Sequence, residues 1–192
     1  LAEEVGRVRF EIPAGFEEIV AFRPSGIAGY KKLPFPRDYD RLLVVSPFLT
    51  SDWLKSRLGA GRNNRLISRP DSLDALAAPV LAGLEANTAL YILNEAAERP
   101  EEQEPESEET RPATGPDLSG LHAKLFLAEH RWNATLLTGS ANASKPAFDG
   151  SNVEFMVELR GKRSQVGLDC LLGAEEQTPS LLSLLQRYQR SG

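Results

Sequence analysis

Two short polar motifs in this sequence combine residue types that suit chemistry at a phosphate group. The first is His122-x-Lys124, and the second is Gly139-Ser140-x-Asn142. Imidazole is nucleophilic near neutral pH, and an ammonium group stabilises charge on phosphoryl oxygens. A Gly-Ser turn after a strand offers backbone N–H groups, a hydroxyl and an amide within a few ångströms. The two motifs therefore predict a phosphate site with a nucleophile beside it.

The residues around the first motif predict how its side chains are directed. The segment from Leu121 to Leu127 is predicted as a strand, on which alternate residues share a face. His122 and Lys124 would then project side by side, with Phe126 on the same face as the wall of a pocket. Further along the chain, Glu154 opens another predicted strand, where its carboxylate can orient an imidazole.

Taken together, the motifs resemble the signature of the phospholipase D superfamily. That signature is His-x-Lys, four residues, an Asp, and then Gly-Ser-x-Asn; here Glu129 occupies the position of the Asp. The downstream Asn152-x-Glu154 extends the match, and the resemblance covers about residues 40–175. It implies an α/β fold, specifically an α/β/α sandwich with a mixed, mostly parallel central sheet.

The resemblance also implies a mechanism and a role for each residue. His122 would attack phosphorus to form a phosphohistidine, with Lys124 and Glu154 completing the catalytic set. Phosphate binding would fall to Lys124, Gly139, Ser140 and Asn142. Glu129 would have a structural, orienting role. No metal and no other cofactor is required by this chemistry.

A mechanism of this kind needs two facing histidines, and this chain carries one such motif. His130, beside Arg131, is predicted to be a turn residue. The second half-site would come from a homodimer with an isologous interface, or from a missing part of a longer polypeptide. The first residue is Leu1 rather than Met, which favours a fragment or a processed chain.

Hydrophobic patterning predicts the elements that position these motifs. Apolar runs predict strands at 41–46, 65–68, 89–93 and 134–137, and alternation predicts strands at 7–12 and 153–159. A short turn is predicted around 129–133. Helices are predicted from Ser51 to Leu58, from Asp71 to Leu84 with a kink or break at Pro79, and at 180–190. The Pro- and Gly-rich stretch 13–36 is predicted to be irregular, which gives an N-terminal strand and arm over 1–38 and a phospholipase D-like domain over 39–192.

The net charge of −5 conceals an uneven distribution along the chain. Nine acids and two arginines between Glu95 and Asp117 give that segment −7, so the remainder carries +2. Four prolines accompany these charges, and the composition predicts a disordered insertion at about 95–117 rather than an acidic docking tail. The charge therefore does not exclude a phosphodiester substrate, and the insertion lies directly before His122, where it would shield or compete for the site.

Composition also limits the function classes. A single cysteine, Cys170, excludes an internal disulfide, and no apolar run is long enough to span a bilayer, so a cytoplasmic protein is expected. Arginines outnumber lysines, and four of them lie close together in the sequence at 57, 62, 65 and 69, an arrangement that could track a nucleic-acid backbone. Any one of these arginines taken singly is better explained as a solvated surface charge. Nucleic acid is nevertheless the favoured substrate class. A phospholipase or transphosphatidylase of the same mechanism remains open. So does a non-catalytic module that binds nucleic acid or mediates dimerisation.

Overall fold

The central sheet is built from the short apolar runs of the sequence. The computed structural model describes residues 9–94, 120–173 and 180–190. The strands are β1 (Phe16–Ser25), β2 (Arg41–Val45), β3 (Asn64–Ile67), β4 (Thr88–Leu93), β5 (Leu125–His130), β6 (Asn133–Gly139), β7 (Glu154–Lys162) and β8 (Leu185–Arg187). The helices are α1 (Ser51–Leu58), α2 (Pro70–Asp74), α3 (Ala78–Glu85), α4 (Lys145–Asp149), α5 (Arg163–Val166) and α6 (Leu168–Leu172), with a 3₁₀ turn at Leu182–Leu184.

The eight strands follow the order β1-β7-β6-β5-β2-β3-β4-β8. β2 pairs in parallel with β3, and β3 in parallel with β4. The other five pairings, β1–β7, β7–β6, β6–β5, β5–β2 and β4–β8, are antiparallel. The α/β prediction is confirmed, but the prediction of a mostly parallel sheet is wrong. Tight hairpins join strands without a crossover helix, and the chain uses one at β5–β6.

Helices cover both faces of the sheet, so the sandwich has three layers. On one face, Leu54 of α1, Leu73 of α2 and Phe148 of α4 pack with sheet residues such as Phe126. On the other face, Leu168 and Leu172 of α6 pack against β2, β5 and β6. The strand β2 lies between these two cores, and its Leu42, Leu43 and Val44 are fully buried. This explains why its sequence is a continuous apolar run rather than an alternating one.

Several predicted elements are confirmed. The runs at 41–46, 65–68 and 89–93 correspond to β2, β3 and β4, and the segment 153–159 overlaps β7, which begins at Glu154. The predicted helix at Ser51 ends at Leu58 before Gly59. Pro79 does mark a break, because α2 ends at Asp74 and α3 begins at Ala78 with Pro79 in its first turn.

The N-terminal prediction is wrong. No strand includes the described residues 9–12, and the first strand is instead β1, within the stretch predicted to be irregular. β1 is an edge strand, and its pairing with β7 shifts register between Phe16 and Glu18 and again between Ile19 and Ala21. These irregularities break the alternation that marks a strand in a sequence. The boundary predicted near residue 38 stays a prediction, although β1 pairs with a strand of the main sheet.

The C-terminal prediction is also wrong. The segment predicted as a helix over 180–190 forms the 3₁₀ turn and then β8 in the structure. Leu185 and Gln186 pair with Leu93 and Ile92 of β4, so backbone pairing at a sheet edge overrides the helical spacing of the leucines. The acidic segment predicted to be a disordered insertion at 95–117 lies outside the described residues. Within the described ranges, no helix is long and apolar enough to cross a membrane.

Candidate functional site

Antiparallel pairing brings the polar motifs to one edge of the sheet. Leu125, the first residue of β5, pairs with Thr138 near the end of β6, and Gly139 pairs with Met156 near the start of β7. His122 and Lys124 come just before β5, Ser140 just after β6, and Glu154 opens β7. Three segments separated in sequence therefore meet at the same end of three adjacent strands.

His122 and Lys124 lie side by side, as predicted, but not on a strand. Residues 121–124 precede β5, which starts only where Leu125 pairs with Val45 and Thr138. The Nζ of Lys124 lies 3.5 Å from Nε2 of His122 and donates to the backbone oxygen of His122 at 2.9 Å. Because an ammonium group has only donors, a contact along this line requires the lone pair of Nε2. His122 is exposed and Lys124 half-buried.

Burial and a neighbouring charge act on the pKa of Lys124 in opposite directions. Partial burial lowers the pKa of this ammonium group, and the charge of Glu154 opposes that shift by raising it. The backbone oxygen of Lys124 accepts hydrogen bonds from Oγ1 of Thr138 at 3.0 Å and from the amide of Gly139 at 3.4 Å. These two bonds attach the Lys124 segment to the end of β6.

Ser140 and Glu154 form the most tightly bonded part of the site. The Oγ of Ser140 donates to Oε2 of Glu154 at 2.5 Å and accepts the amide of Phe155 at 2.9 Å. The side-chain amide of Asn152 donates to the other carboxylate oxygen of Glu154, Oε1, at 3.4 Å. Glu154 was expected to orient the imidazole of His122. In the described residues its hydrogen bonds go to Ser140 and Asn152 instead, and an orienting role toward His122 stays a prediction.

Gly139 is required by close backbone contact. Its φ is +153°, and a Cβ atom there would lie 2.2 Å from the backbone oxygen of Phe155. Asn142, two residues after Ser140, has a buried Oδ1 that accepts no hydrogen bond from the described part of the chain. The phosphate-binding role expected of Gly139, Ser140 and Asn142 stays a prediction.

Several polar residues that position the loop after β6 were not singled out in the sequence. The Oγ of Ser46, at the end of β2, accepts the amide of Ala143 at 2.9 Å. The Oγ1 of Thr50 accepts the amide of Lys145 at 3.1 Å, and the amide of Ala141 contacts the sulfur of Met156 at 3.3 Å. Isolated serines and threonines after a strand carry no pattern of their own, and only the pairing of β2 with β5 places them here.

Phe126 and Glu129, the two other residues of the predicted site region, lie in the interior of the fold. Phe126 was expected to wall a pocket on the face of His122 and Lys124. It does line a pocket, but together with Arg23, Phe35 and Leu137 rather than with those two residues. Its side chain is 2% exposed and packs against Trp53 and Phe148. β5 passes between the two cores, and the strand face that holds Phe126 is covered by α1 and α4. Two of the arginines at 57, 62, 65 and 69 have partners close to them in the sequence. Arg69 pairs with Asp71, and Arg65 donates to backbone oxygens of Asn63 and Asn64.

Glu129 is buried in a network of charges far from the phosphate motif. It is fully buried within β5, where it pairs with Ala134 of β6, so it is not part of the turn predicted around 129–133. The turn consists of the next residues, Arg131 and Trp132. The carboxylate of Glu129 accepts hydrogen bonds from Arg41 Nε at 2.6 Å and from the amide of Leu168 at 2.7 Å. Its oxygens also lie 3.2 Å from Arg163 Nε. The network connects β2, β5 and the start of α6.

Comparison with known proteins adds structural similarities of limited extent. No protein-family model matches the chain, and no curated protein matches its sequence. The crystal structure of the H432R mutant of yeast tyrosyl-DNA phosphodiesterase 1 aligns at 14% identity with a TM-score of 0.40. That alignment covers 64% of this chain and 25% of the yeast chain. NucT from Helicobacter pylori aligns at 18% identity with a TM-score of 0.37, covering 62% of this chain and 67% of that one. This chain thus spans about a quarter of the yeast enzyme's length.

Proposed function

We propose that this chain is a phosphodiesterase of the phospholipase D type that cleaves its substrate without a metal, through a phosphohistidine on His122. The observation that carries the proposal is the 3.5 Å contact between Nζ of Lys124 and Nε2 of the exposed His122. Beside this pair lies the Gly139–Asn142 loop, joined to Lys124 by the amide of Gly139. A nucleophile, a cation and a loop with phosphate-binding groups are the parts that such a reaction needs.

The proposed reaction proceeds in two displacements. In the first, Nε2 of His122 attacks phosphorus, a P–N bond forms, and the bond from phosphorus to the leaving oxygen breaks. A second histidine donates its proton to that oxygen. In the second step, the same histidine accepts a proton from water, the water oxygen bonds to phosphorus, and the P–N bond breaks to release a phosphomonoester. Lys124, Ser140 and Asn142 stabilise the charge on the non-bridging oxygens.

The second histidine is not part of this motif, so the unit of function is larger than one copy of the chain. We propose that it comes from a homodimer or from a further segment of the polypeptide. His130 is unsuited to this role in the same copy, because it lies at the far end of β5, six residues beyond Lys124. At about 3.4 Å of rise per strand residue, that separation is roughly 20 Å.

Nucleic acid is the substrate class that we favour. Outside the acidic segment the chain carries a net charge of +2 and is rich in arginine, which suits a polyanion. A phospholipase or transphosphatidylase would use the same site and mechanism. A non-catalytic nucleic-acid-binding or dimerisation module would keep the fold without turnover, but a buried Glu154 bonded to an exposed Ser140 beside His122 favours a working site.

The test is hydrolysis of bis-(p-nitrophenyl) phosphate in the presence of EDTA. Wild type should turn over, and His122→Ala should lose activity by at least a hundredfold, since nothing else in the motif can form the covalent bond. His130→Ala is the matched control, because it removes the other histidine at an exposed position away from the motif. Intact-mass analysis of His122→Ala and wild type after rapid quenching should find the phosphoryl adduct in wild type alone.

Activity that survives His122→Ala, or that appears only after a metal is added, would contradict the mechanism. Light scattering during turnover distinguishes a dimer from a monomer as the active species. Hydrolysis of single-stranded DNA, duplex DNA and phosphatidylcholine micelles then sorts the substrate classes. Binding of DNA without hydrolysis of any of these diesters would support the non-catalytic alternative.

A further inference from the structure

A groove between α1 and α4 is lined by three positive side chains that no described ion pair neutralises. The groove encloses about 370 Å³. Its charged rim consists of Lys32, Arg57 and Lys145, together with Asp52 and Asp149. Lys32, Arg57 and Lys145 take part in none of the ion pairs within the described ranges. The Oδ1 of Asp149 accepts both the amide and the hydroxyl of Ser151. These bonds, and the charges of Lys145 and Lys32, lower the pKa of Asp149, so this carboxylate offsets part of the positive charge of the groove.

Two residues that line the groove carry buried hydrogen-bond donors without acceptors. Trp53, which is 3% exposed, packs its ring 5.2 Å from that of Phe148 between the two helices. Its Nε1 is buried and has no hydrogen-bond partner in the described part of the protein, and the same holds for Nε of Arg57. Arg57 is held in place by its guanidinium group, which lies 4.9 Å from the ring centre of Phe35. Unpartnered buried donors are costly, so their presence beside cations indicates a ligand that supplies acceptor oxygens.

The groove lies next to the proposed phosphodiester site. Lys145 follows Asn142 by three residues, and three extended residues span at most about 10 Å. The amide of Lys145 donates to Thr50 just before α1, and Leu49 pairs with Ala143, so the loop after β6 is bonded to the start of α1. The backbone of Lys145, at the rim of the groove, therefore lies within about 10 Å of the backbone of Asn142.

We propose that this groove binds a phosphate of the polynucleotide backbone that flanks the scissile phosphodiester. The inference rests on the proposed function and specifies its substrate class. A polynucleotide repeats its phosphates along each strand at a rise of about 3.4 Å, so a neighbouring phosphate falls within reach of Lys32 and Lys145. Phosphatidylcholine has no second phosphate and ends in a cationic headgroup, which a positive groove does not favour. Arg57 Nε and Trp53 Nε1 donate to the bound phosphate oxygens.

The first test measures binding apart from catalysis. All proteins carry His122→Ala, and fluorescence anisotropy follows a fluorescein-labelled oligothymidylate between 50 and 200 mM KCl. The double variant Lys32→Gln/Lys145→Gln should bind about tenfold more weakly at 50 mM, and its slope of log K against log salt should be smaller by about 1.4. The matched control is Arg37→Gln/Lys55→Gln, which removes two exposed positive charges outside the groove and should bind like the parent.

The second test uses the position of Trp53 and changes no charge. The chain has two tryptophans. Trp53 lines the groove, and Trp132, which is 83% exposed, lies in the turn between β5 and β6. In Trp132→Phe, oligothymidylate should quench or shift the remaining emission in proportion to binding. In Trp53→Phe, emission from Trp132 should stay unchanged at the same occupancy. The opposite pattern would overturn the proposal.

Failure of the groove proposal and failure of the proposed function give different results. Equal oligothymidylate affinities of the Lys32→Gln/Lys145→Gln variant and the control would overturn the groove, whatever the outcome of diester hydrolysis. Weakened binding by that variant in a protein that hydrolyses no diester would support the groove and contradict the catalytic mechanism. If the Lys32→Gln/Lys145→Gln variant bound cardiolipin vesicles more weakly than the control but bound oligothymidylate equally well, the polynucleotide assignment would be overturned.

Discussion

The hydroxyl of Ser140 bridges the carboxylate of Glu154 and the backbone amide of Phe155, with hydrogen bonds of 2.5 and 2.9 Å. Glu154 is 8% exposed, and its carboxylate is stabilised by this hydroxyl, by the side-chain amide of Asn152 and by the nearby ammonium group of Lys124. The bridge attaches the loop after β6 to the first residues of β7. A group proposed to bind phosphate is thus also the group that positions the loop.

Ser140→Ala should therefore lower both stability and activity. The substitution leaves a buried carboxylate oxygen and the Phe155 amide without their partner, which should cost about 1–3 kcal/mol in the free energy of unfolding. We expect kcat/KM for bis-(p-nitrophenyl) phosphate to fall by about a hundredfold, because the loop after β6 loses its attachment to β7 and its phosphate-binding groups are misplaced. Urea unfolding and steady-state kinetics measure the two effects.

Ser151→Ala is the control for stability, because the Ser151 hydroxyl donates to Oδ1 of Asp149 in a solvent-exposed hydrogen bond. Its unfolding free energy should change by less than about 0.5 kcal/mol. A Ser140→Ala protein as stable as wild type would show that the bridge to Glu154 contributes nothing to the fold.

Gly139→Ala should destabilise the protein more than an alanine does elsewhere. A Cβ at this position would lie 2.2 Å from the Phe155 oxygen and 2.9 Å from Met156 Cα, both backbone atoms that β7 holds in place. We expect a loss of about 2–4 kcal/mol in urea unfolding, because the β6–β7 pairing must shift. Gly83→Ala is the matched control: Gly83 lies within α3, and nothing stands within 4 Å of an added Cβ. That change should stabilise by about 0.5–1 kcal/mol, and similar effects of the two substitutions would contradict the contact described here.

Glu129→Gln should remove much of the stability that the buried charge network supplies. The fully buried carboxylate faces Arg41 and Arg163, and a neutral amide removes the buried counter-charge of both, which leaves Arg41 with the exposed Asp169. Breaking such a buried pair costs about 3–5 kcal/mol. Asp169→Asn is the control, since Asp169 binds the same Arg41 but its side chain is 75% exposed. That variant should lose less than about 1 kcal/mol, and an equal loss in both variants by chemical denaturation would show that burial of Glu129 is not the cause.

Tyr188 should make stability fall in alkaline solution. Burial and a hydrogen bond to Asp74 raise the pKa of Tyr188 to about 12. Above pH 10 the unfolded chain releases this proton while the folded protein retains it, so the stabilisation is complete below pH 10 and is lost as the pH rises toward 12. Between pH 9 and 11 the loss should be about 1.4 kcal/mol.

Urea unfolding of Tyr188→Phe at the two pH values should lack this part of the decrease. Tyr30→Phe, at an exposed position, should behave like wild type. A wild-type decrease that persists unchanged in Tyr188→Phe would assign the alkaline loss to other groups.

The α/β character of the chain and the grouping of its polar motifs were predictable from sequence. Continuous apolar runs mark β2, β3 and β4 because these strands are buried on both faces, and Pro79 marks the break before α3 because it cannot continue α2. The motif spacing also predicted that His122, Lys124 and Ser140 would meet. Local patterns carry this information because they reflect burial and backbone restriction, which depend on near neighbours.

Long-range pairing decided the rest. β1 and β8 are edge strands whose sequences lack clear alternation, and they form because β7 and β4 offer unpaired backbone groups to them. The start of β5 at Leu125 depends on its partners Val45 and Thr138, which leaves His122 and Lys124 outside the sheet. The bond from Ser140 to Glu154 and the groove between α1 and α4 arise in the same way, because distant segments are brought together only when the sheet closes around a common core.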